Sequence, residues 1–332
     1  MEHLRKQFHE ELDSDGDIVI AGDTFVRHDI LEGLAEQTYK LAFEEWVETR
    51  KERMIEKADE ILSLYDNRNR FEALRRTFQS GSMLAFIGAG LSMPSGFPSW
   101  TKFLYDLCDE SHVKADDLRA ALEKGLYEEA AEMLCRDLGA ALFNENVHTT
   151  FGRSPSPAGP INYLPKLFPA CSLLTTNFDC LIEEVYKGEG CQGFDKTVCG
   201  KVIAEVSRLM AGGSRVLVKI HGKCDEVADR VLTLGEYSAA YADKSAVKLF
   251  FNQVMFGRSL LFLGCSLATD RTITTMKELV KEYGSGNLPR HHALLELKGS
   301  DDRVARKKEL AACRTLPRRE ADAKNSAWLP AL

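Results

Sequence analysis

Five short, almost unbroken apolar runs punctuate the middle of this chain: residues 83–87 (MLAFI), 171–174 (CSLL), 215–220 (RVLVKI), 260–263 (LLFL) and 292–297 (HALLEL). A strand that alternates apolar with polar residues faces water on one side, whereas a continuously apolar strand is covered on both. Stretches of helical periodicity separate the runs. The pattern therefore predicts an α/β fold, a parallel sheet with helices on both faces. In such sheets ligands bind beyond the carboxyl ends of the strands. The residues that follow each run are accordingly the candidates for chemistry.

The flanks differ from this middle. Residues 1–78 hold one short apolar run at 17–21. From about 28 to 78, apolar residues recur at three- and four-residue spacings among many Glu, Lys and Arg, with a break at 66–69 (DNRN). This predicts an amino-terminal helical arm packed on the main domain or on another subunit, an oligomer or partner contact with no evident catalytic group. Residues 79–298 form the main domain, with a helical insert at about 101–165 that closes in a Pro/Gly cluster at 154–160. Residues 299–332 are rich in Arg, Lys and Ala, show no strand pattern, and are expected to form a helix or tail. The net charge of −7 removes the large basic face that nucleic-acid binding needs. No apolar run is long enough to span a bilayer, so no membrane association is expected. The nine cysteines form no C-x-x-C pair, and the charged start lacks a secretory apolar core. A cytoplasmic protein with reduced thiols is the expectation.

Four strand ends carry distinctive residues. The first run enters Gly88-Ala89-Gly90-Leu91-Ser92. Glycines at a strand end let a backbone approach a pyrophosphate, and a following helix would offer free N–H groups and its positive dipole end. This is a Rossmann-like feature, although Met93 stands where the dinucleotide fingerprint wants a small residue and Asp109 is not at the end of a second strand. The second run leads into Thr175-Thr176-Asn177-Phe178-Asp179. Asn177 and Asp179 are either ligand-binding groups or helix caps. The third leads into Lys219-Ile220-His221-Gly222, where a histidine can serve as a base near neutral pH. The fourth leads into Gly264-Cys265-Ser266, a second place where a nucleotide can lie against backbone.

Taken in order, Gly-Ala-Gly-x-Ser, Thr-x-Asn-x-Asp, His-Gly and Leu-Gly-x-Ser resemble the motif series of sirtuins. The sirtuin loop pattern that ends in Gly-x-Pro matches residues 88–98 without a gap. The similarity covers roughly 82–297 and is nearest to the prokaryotic sirtuin-like branch of anti-phage defence, whose members hydrolyse NAD. There are departures. Ser99-Trp100-Thr101 replaces the Asp-Phe-Arg of protein-deacylating sirtuins, and Thr176 stands at the usual Gln position. Cys180, Cys191, Cys199 and Cys224 lie where a zinc module would be, yet at irregular spacings, so no metal is expected.

The resemblance implies NAD as substrate and assigns roles. Gly88, Ala89, Gly90 and Ser92 would hold the diphosphate, Phe97 and Trp100 would wall the nicotinamide pocket with Pro98 among the NAD-binding positions, and their loop is expected to be mobile or pocket-blocking without NAD and to order when NAD binds. Asn177 and Thr176 would face the ribose. Asp179 would order that loop or recognise nicotinamide, His221 would take a proton, and Gly264 and Ser266 would contact the adenosine side. The expected activity is NAD glycohydrolysis, depleting NAD in anti-phage defence under control of assembly or a partner. The alternatives are an NAD-dependent protein deacylase and a non-catalytic sensor of NAD or ADP-ribose. A homo-oligomer is expected, and the family suggests a HerA-type ATPase or another sensor protein as partner.

Overall fold

In the amino-terminal unit a short helix lies along a longer one. α1 (Glu2–Asp13) is followed by a hairpin of β1 (Ile18–Ile20) and β2 (Asp23–Phe25), then α2 (Arg27–Leu34) and α3 (Glu36–Ser63). Ala21 and Gly22, both at positive φ, make the tight turn of the hairpin. Leu4 and Phe8 of α1 are buried against Tyr39 and Phe43 of α3, with Trp46 beside them and its indole N–H on Glu11. The helical arm is thus present, and the run at 17–21 is a strand. α1 was not anticipated, because its charged residues hide the Leu4/Phe8 spacing. Leu64–Asp66 interrupt the helix, and α4 (Asn67–Gln79) resumes it.

The computed structural model describes residues 2–188, 190–242, 244–267, 271–295 and 329–331, and falls into two compact units, Met1–Phe71 and Glu72–Leu332. In the second unit β3 (Met83–Ile87) opens the sheet. The helices α5 (Trp100–Asp109), α6 (Ala115–Glu123), α7 (Tyr127–Leu138) and α8 (Ala140–Phe151) follow, then the short α9 (Leu164–Leu167). β4 (Leu173–Thr175), α10 (Leu181–Val185), β5 (Lys196–Cys199), α11 (Val206–Ala211) and β6 (Val216–Lys219) come next. The chain continues through α12 (Leu234–Ala240), α13 (Ala246–Gly257), β7 (Ser259–Leu263), α14 (Arg271–Tyr283) and β8 (His292–Leu295), with β9 (Leu329–Ala331) last.

The strand order is β5-β6-β4-β3-β7-β8-β9, parallel throughout except for antiparallel β9. Two cores flank it. Met83, Ala85 and Ile87 of β3 point to one face with Leu173, Leu217 and Leu261, and there meet Phe103, Leu118, Leu134 and Phe143 of the insert helices. Leu84 and Phe86 point to the other face with Val216, Val218 and Phe262, against Phe250, Phe251 and Met276. Each such apolar side chain contributes about 1.5–3 kcal/mol on burial, which is why the strands tolerate so few polar residues.

Two strands of this sheet escaped the sequence pattern, as did β2 of the amino-terminal hairpin. β5 is a four-residue edge strand whose Lys196 is exposed, so it offers no apolar run. The helix or tail expected for 299–332 lies outside the described residues except at Leu329–Ala331, which form a strand instead. Antiparallel edge pairing uses main-chain groups and needs no apolar run, and an edge tolerates Pro330, which has no N–H.

Candidate functional site

Strand register aligns the motifs. Leu263, Ile87, Thr175, Lys219 and Cys199 stand side by side in one row at the carboxyl end of the sheet. Neighbouring strands are about 4.8 Å apart, so all four motif loops leave from one short front. From β3 the chain moves through β4 to β5 and β6 on one side. From β7 it moves to β8 on the other. The boundary between β3 and β7 is the topological switch point, where open α/β sheets have their ligand crevice.

At that boundary two loops touch backbone to backbone. Gly88 N donates to Leu263 O at 2.9 Å and Gly90 N to Gly264 O at 2.9 Å. A Cβ on Gly88 would lie 2.6 Å from Gly264 O, and one on Gly264, whose φ is +68°, 2.6 Å from Leu91 N. Part of the clearance these glycines provide is therefore filled by the facing loop. Ala89 and Gly90 remain exposed toward the crevice side of the strand ends. No α-helix follows directly, contrary to the expectation. Ala89–Leu91 and Met93–Ser95 form single 3-10 turns, and α5 begins only at Trp100 with Ser99 as its cap. Gly96 in the left-handed region ends the second turn and breaks the run.

Ser92, Asn177 and Asp179 are joined in one buried network. Thr175 Oγ1 donates to Ile87 O at 2.9 Å and accepts from Asn177 N at 3.0 Å, fixing where the loop leaves β4. Asn177 Nδ2 donates to Ser92 Oγ at 3.0 Å, and the nearby Ser92 hydroxyl favours the ionised form of the Asp179 carboxylate. Asp179 Oδ1 accepts from Leu181 N at 3.1 Å, so it caps α10 as well. Burial pushes the Asp179 pKa up, and the nearby Lys219 charge and the Ser92 hydroxyl oppose that. Lys219 is fully buried. Its Nζ bonds Asp179 O, and Glu183 Oε1 lies 3.2 Å away. Thr176 is half-buried between these residues.

His221 leaves the neighbouring strand, at the position matching Asn177 across the β4/β6 register. It is buried. Its Nδ1 lies 3.1 Å from the Tyr237 hydroxyl and its Nε2 3.0 Å from that of Tyr241. Burial brings its pKa down to about 3, so the imidazole is neutral. Gly222, at φ +83°, packs against Arg230, where a Cβ would lie 2.9 Å from Arg230 Cα. The Arg230 guanidinium is itself buried and bonds Cys224 O and Asn144 of α8, which ties the histidine loop to the insert. Tyr237, Tyr241, Lys219, Glu183 and Arg230 were not picked out from the sequence. The two tyrosines are four apart on one helix face, and a lysine inside an otherwise apolar strand was the one readable signal.

Phe97 and Trp100 join an aromatic cluster of the insert. Trp100 packs on Phe103 at 5.1 Å, Phe178 at 5.8 Å and Phe151 at 6.2 Å between ring centroids, and Phe97 stacks parallel to Phe151. The loop before Trp100 is tied down: Ala158 N donates to Ser95 Oγ at 2.9 Å and an Arg153 guanidinium N–H to Gly96 O at 2.8 Å. These two hydrogen bonds join the loop to the segment before α9 and to Arg153 just past the end of α8. Pro98 is half-buried in it, while Ser266 is exposed beyond Gly264. The residues present do not fit a zinc module: no three His, Cys, Asp or Glu are gathered for a metal among the described residues. No helix among them is long and apolar enough to cross a membrane.

Known proteins share sequence with this chain. Residues 172–316 match the family model of the SIR2-like domain. The chain is 23% identical over 219 residues to the NAD(+) hydrolase ThsA of Acinetobacter baumannii (strain 532279), covering 66% of this chain and 43% of that protein. It is 24% identical over 214 residues to the NAD(+) hydrolase ThsA of Enterococcus faecium, covering 61% and 42%. The defense-associated sirtuin 2 of Bacillus subtilis matches at 25% over 190 residues, 53% of this chain and 17% of that protein. The chain thus spans less than half the length of these relatives. It is similar to SIR2-like domains over residues 172–316 and, over part of its length, to these relatives.

Proposed function

We propose that the chain hydrolyses NAD to ADP-ribose and nicotinamide, in the cytoplasm, and that its use is NAD depletion in anti-phage defence. The observation that carries this is the single row of strand ends, which sets the Gly88-Ala89-Gly90 and Gly264 turns, the Ser92–Asn177–Asp179 network and His221 around the switch point. The names of the relatives, NAD(+) hydrolase and defense-associated sirtuin, support the same reading.

The chemistry asked of these residues is modest in kind. The bond from nicotinamide to ribose C1′ breaks, nicotinamide leaves as a neutral molecule, positive charge grows on the ribose, and water adds at C1′ with loss of a proton. The protein must orient the ribose and hold one water or hydroxyl close to a base. The main chain around Ala89 and Gly90, with Ser92 and Gly264, is suited to the diphosphate, and Ser266 to the adenosine side. Asn177 and Thr176 are suited to the ribose hydroxyls or the water. Asp179 orders that loop, and Phe97, Pro98 and Trp100 form an apolar wall. His221 is neutral and carries a ring lone pair, and a substrate or water hydroxyl that replaces a tyrosine contact would relieve its burial and raise its basicity enough to accept the proton.

An unregulated NAD hydrolase would exhaust its own cell, so activity is gated by self-assembly or by a separate protein. The amino-terminal arm is the contact we assign to this, with a HerA-type ATPase or another sensor as the partner class. Incubation with NAD, with products separated by chromatography, tests the activity. ADP-ribose and nicotinamide should form, and Asn177→Ala and His221→Ala should each lower turnover by at least about 100-fold while remaining folded. A folded variant at either position with near-parental turnover would sink the assigned chemistry. NAD binding without turnover would make the chain a sensor instead.

A further inference from the structure

The geometry points to Lys219 as a positioning residue: its buried ammonium, bound to the Asp179 main-chain carbonyl and the Glu183 carboxylate, holds the Asn177 loop against Ser92 in the arrangement that turns over NAD. This rests on the NAD-hydrolase reading and adds to it a residue that touches neither nicotinamide nor ribose.

Lys219 ends β6 in register with Thr175 of β4, and its side chain is 0% exposed. Taking an ammonium out of water costs several kcal/mol, and an apolar side chain of similar volume usually serves a core as well or better. Packing alone therefore does not account for a lysine inside this strand. What the ammonium does is specific. The Asn177 loop is held at its start by Thr175 Oγ1, which accepts from Asn177 N. Lys219 holds its far end through Asp179 O, while Glu183, one turn into α10, shares the same Nζ. The lysine bonds Glu183 Oε1, while Oε2 is buried and makes no hydrogen bond among the described residues, so the lysine is the main compensation for that carboxylate. Between the two anchors lies Asn177, whose amide reaches Ser92.

The ion pair also brackets Asp179 with opposite charges. The groups facing that carboxylate are Lys219 of β6, Glu183 of α10, the Ser92 hydroxyl and the Leu181 N–H. Lys219 favours its ionised form and Glu183 disfavours it, while burial disfavours it most. His221, shifted by burial alone, is not moved by either charge. Removing one partner or the other must therefore displace the Asp179 titration in opposite directions. Loss of a packing contact has no reason to do so.

The test uses Lys219→Met and Glu183→Gln in the full chain. Lys219→Met should lower kcat for NAD by about 10- to 100-fold, the scale set by misplacing a group that orients substrate. The acid limb of the kcat/KM–pH profile should move up by about one pH unit in Lys219→Met and down in Glu183→Gln. The second readout needs no activity. Asp179 has a raised pKa in the folded chain, so its protonation on acidification stabilises the fold. In melting curves without NAD, the pH at which that gain sets in should rise in Lys219→Met and fall in Glu183→Gln. Shifts in the same direction, or none, in a parent that hydrolyses NAD overturn the proposal and leave the NAD reading intact. A parent with no turnover overturns the NAD reading and with it this role, even if the melting shifts are opposite. Should Lys219→Met fail to fold, the direction of the Glu183→Gln shift decides.

Discussion

Burial keeps His221 neutral in a range where a free imidazole would be charged, and its two tyrosine neighbours supply hydroxyls without supplying charge. That has a consequence for stability. Below about pH 6.5 an unfolded histidine binds a proton, whereas folded His221 does so only near pH 3. Its contribution is therefore complete above pH 6.5 and is lost as pH falls from there toward 3, with a slope of up to about 1.4 kcal/mol per pH unit. Asp179 works in the opposite sense, since its pKa is raised and acid relieves the buried charge. Measured by melting between pH 7 and pH 4, the parent should lose stability more steeply than His221→Gln, which has no such proton to bind. Equal slopes would mean that His221 reaches water and is not held between Tyr237 and Tyr241.

Elements show how far a chain of this kind can be read before it is folded. The buried parallel strands announced themselves, because β3 and its neighbours are covered on both faces and must be apolar throughout. Their ends were readable for the same reason: Asn177 and His221 stand immediately beyond such runs. Edge strands were not readable, since β5 and β9 are held by main-chain pairing that leaves little trace in side chains. Nor were Tyr237 and Tyr241, which reach His221 from α12 through tertiary packing that no local pattern encodes. In the loop before α5, glycine and proline mark bends without saying what ties them. Ser95, Gly96 and Arg153 do that here. Trp100 consequently belongs to the core of the insert. Trp100→Ala should cost about 2 kcal/mol, the low end for an aromatic deletion because the ring is only half-buried, visible as a lower melting temperature. KM for NAD should rise only modestly, through Phe178 beside Asn177. A many-fold rise in KM with an unchanged melting temperature would instead identify Trp100 as a lid over the substrate.

At the scale of the whole molecule the arm is a unit of its own, while the residues of the proposed site all belong to the second unit. α3 is 28 residues long, about 42 Å at 1.5 Å per residue, yet α1 has only 12. The aromatic core formed with α1 uses Tyr39, Phe43 and Trp46, all in the first half of α3. Farther along, Met54 and Ile55 are 51% and 53% exposed, set among Lys51, Glu52, Arg53, Glu56 and Lys57. Mixed charges around a short apolar strip let the same helix from a second copy pair with it in antiparallel fashion, Arg53 meeting Glu56 and Lys57 meeting Glu52. Single exposed apolar residues are common on any surface, so the assignment depends on a measurement. Met54→Asp combined with Ile55→Asp in the full chain leaves the α1–α3 core untouched and places two charges in the strip. If the arm joins copies, the mass measured by light scattering should fall toward that of one chain, with helicity by circular dichroism unchanged. NAD turnover should fall with it if assembly is the gate. A parent already at the mass of one chain, or a double variant with unaltered mass, would remove the arm from assembly. The gate would then have to lie with a separate protein.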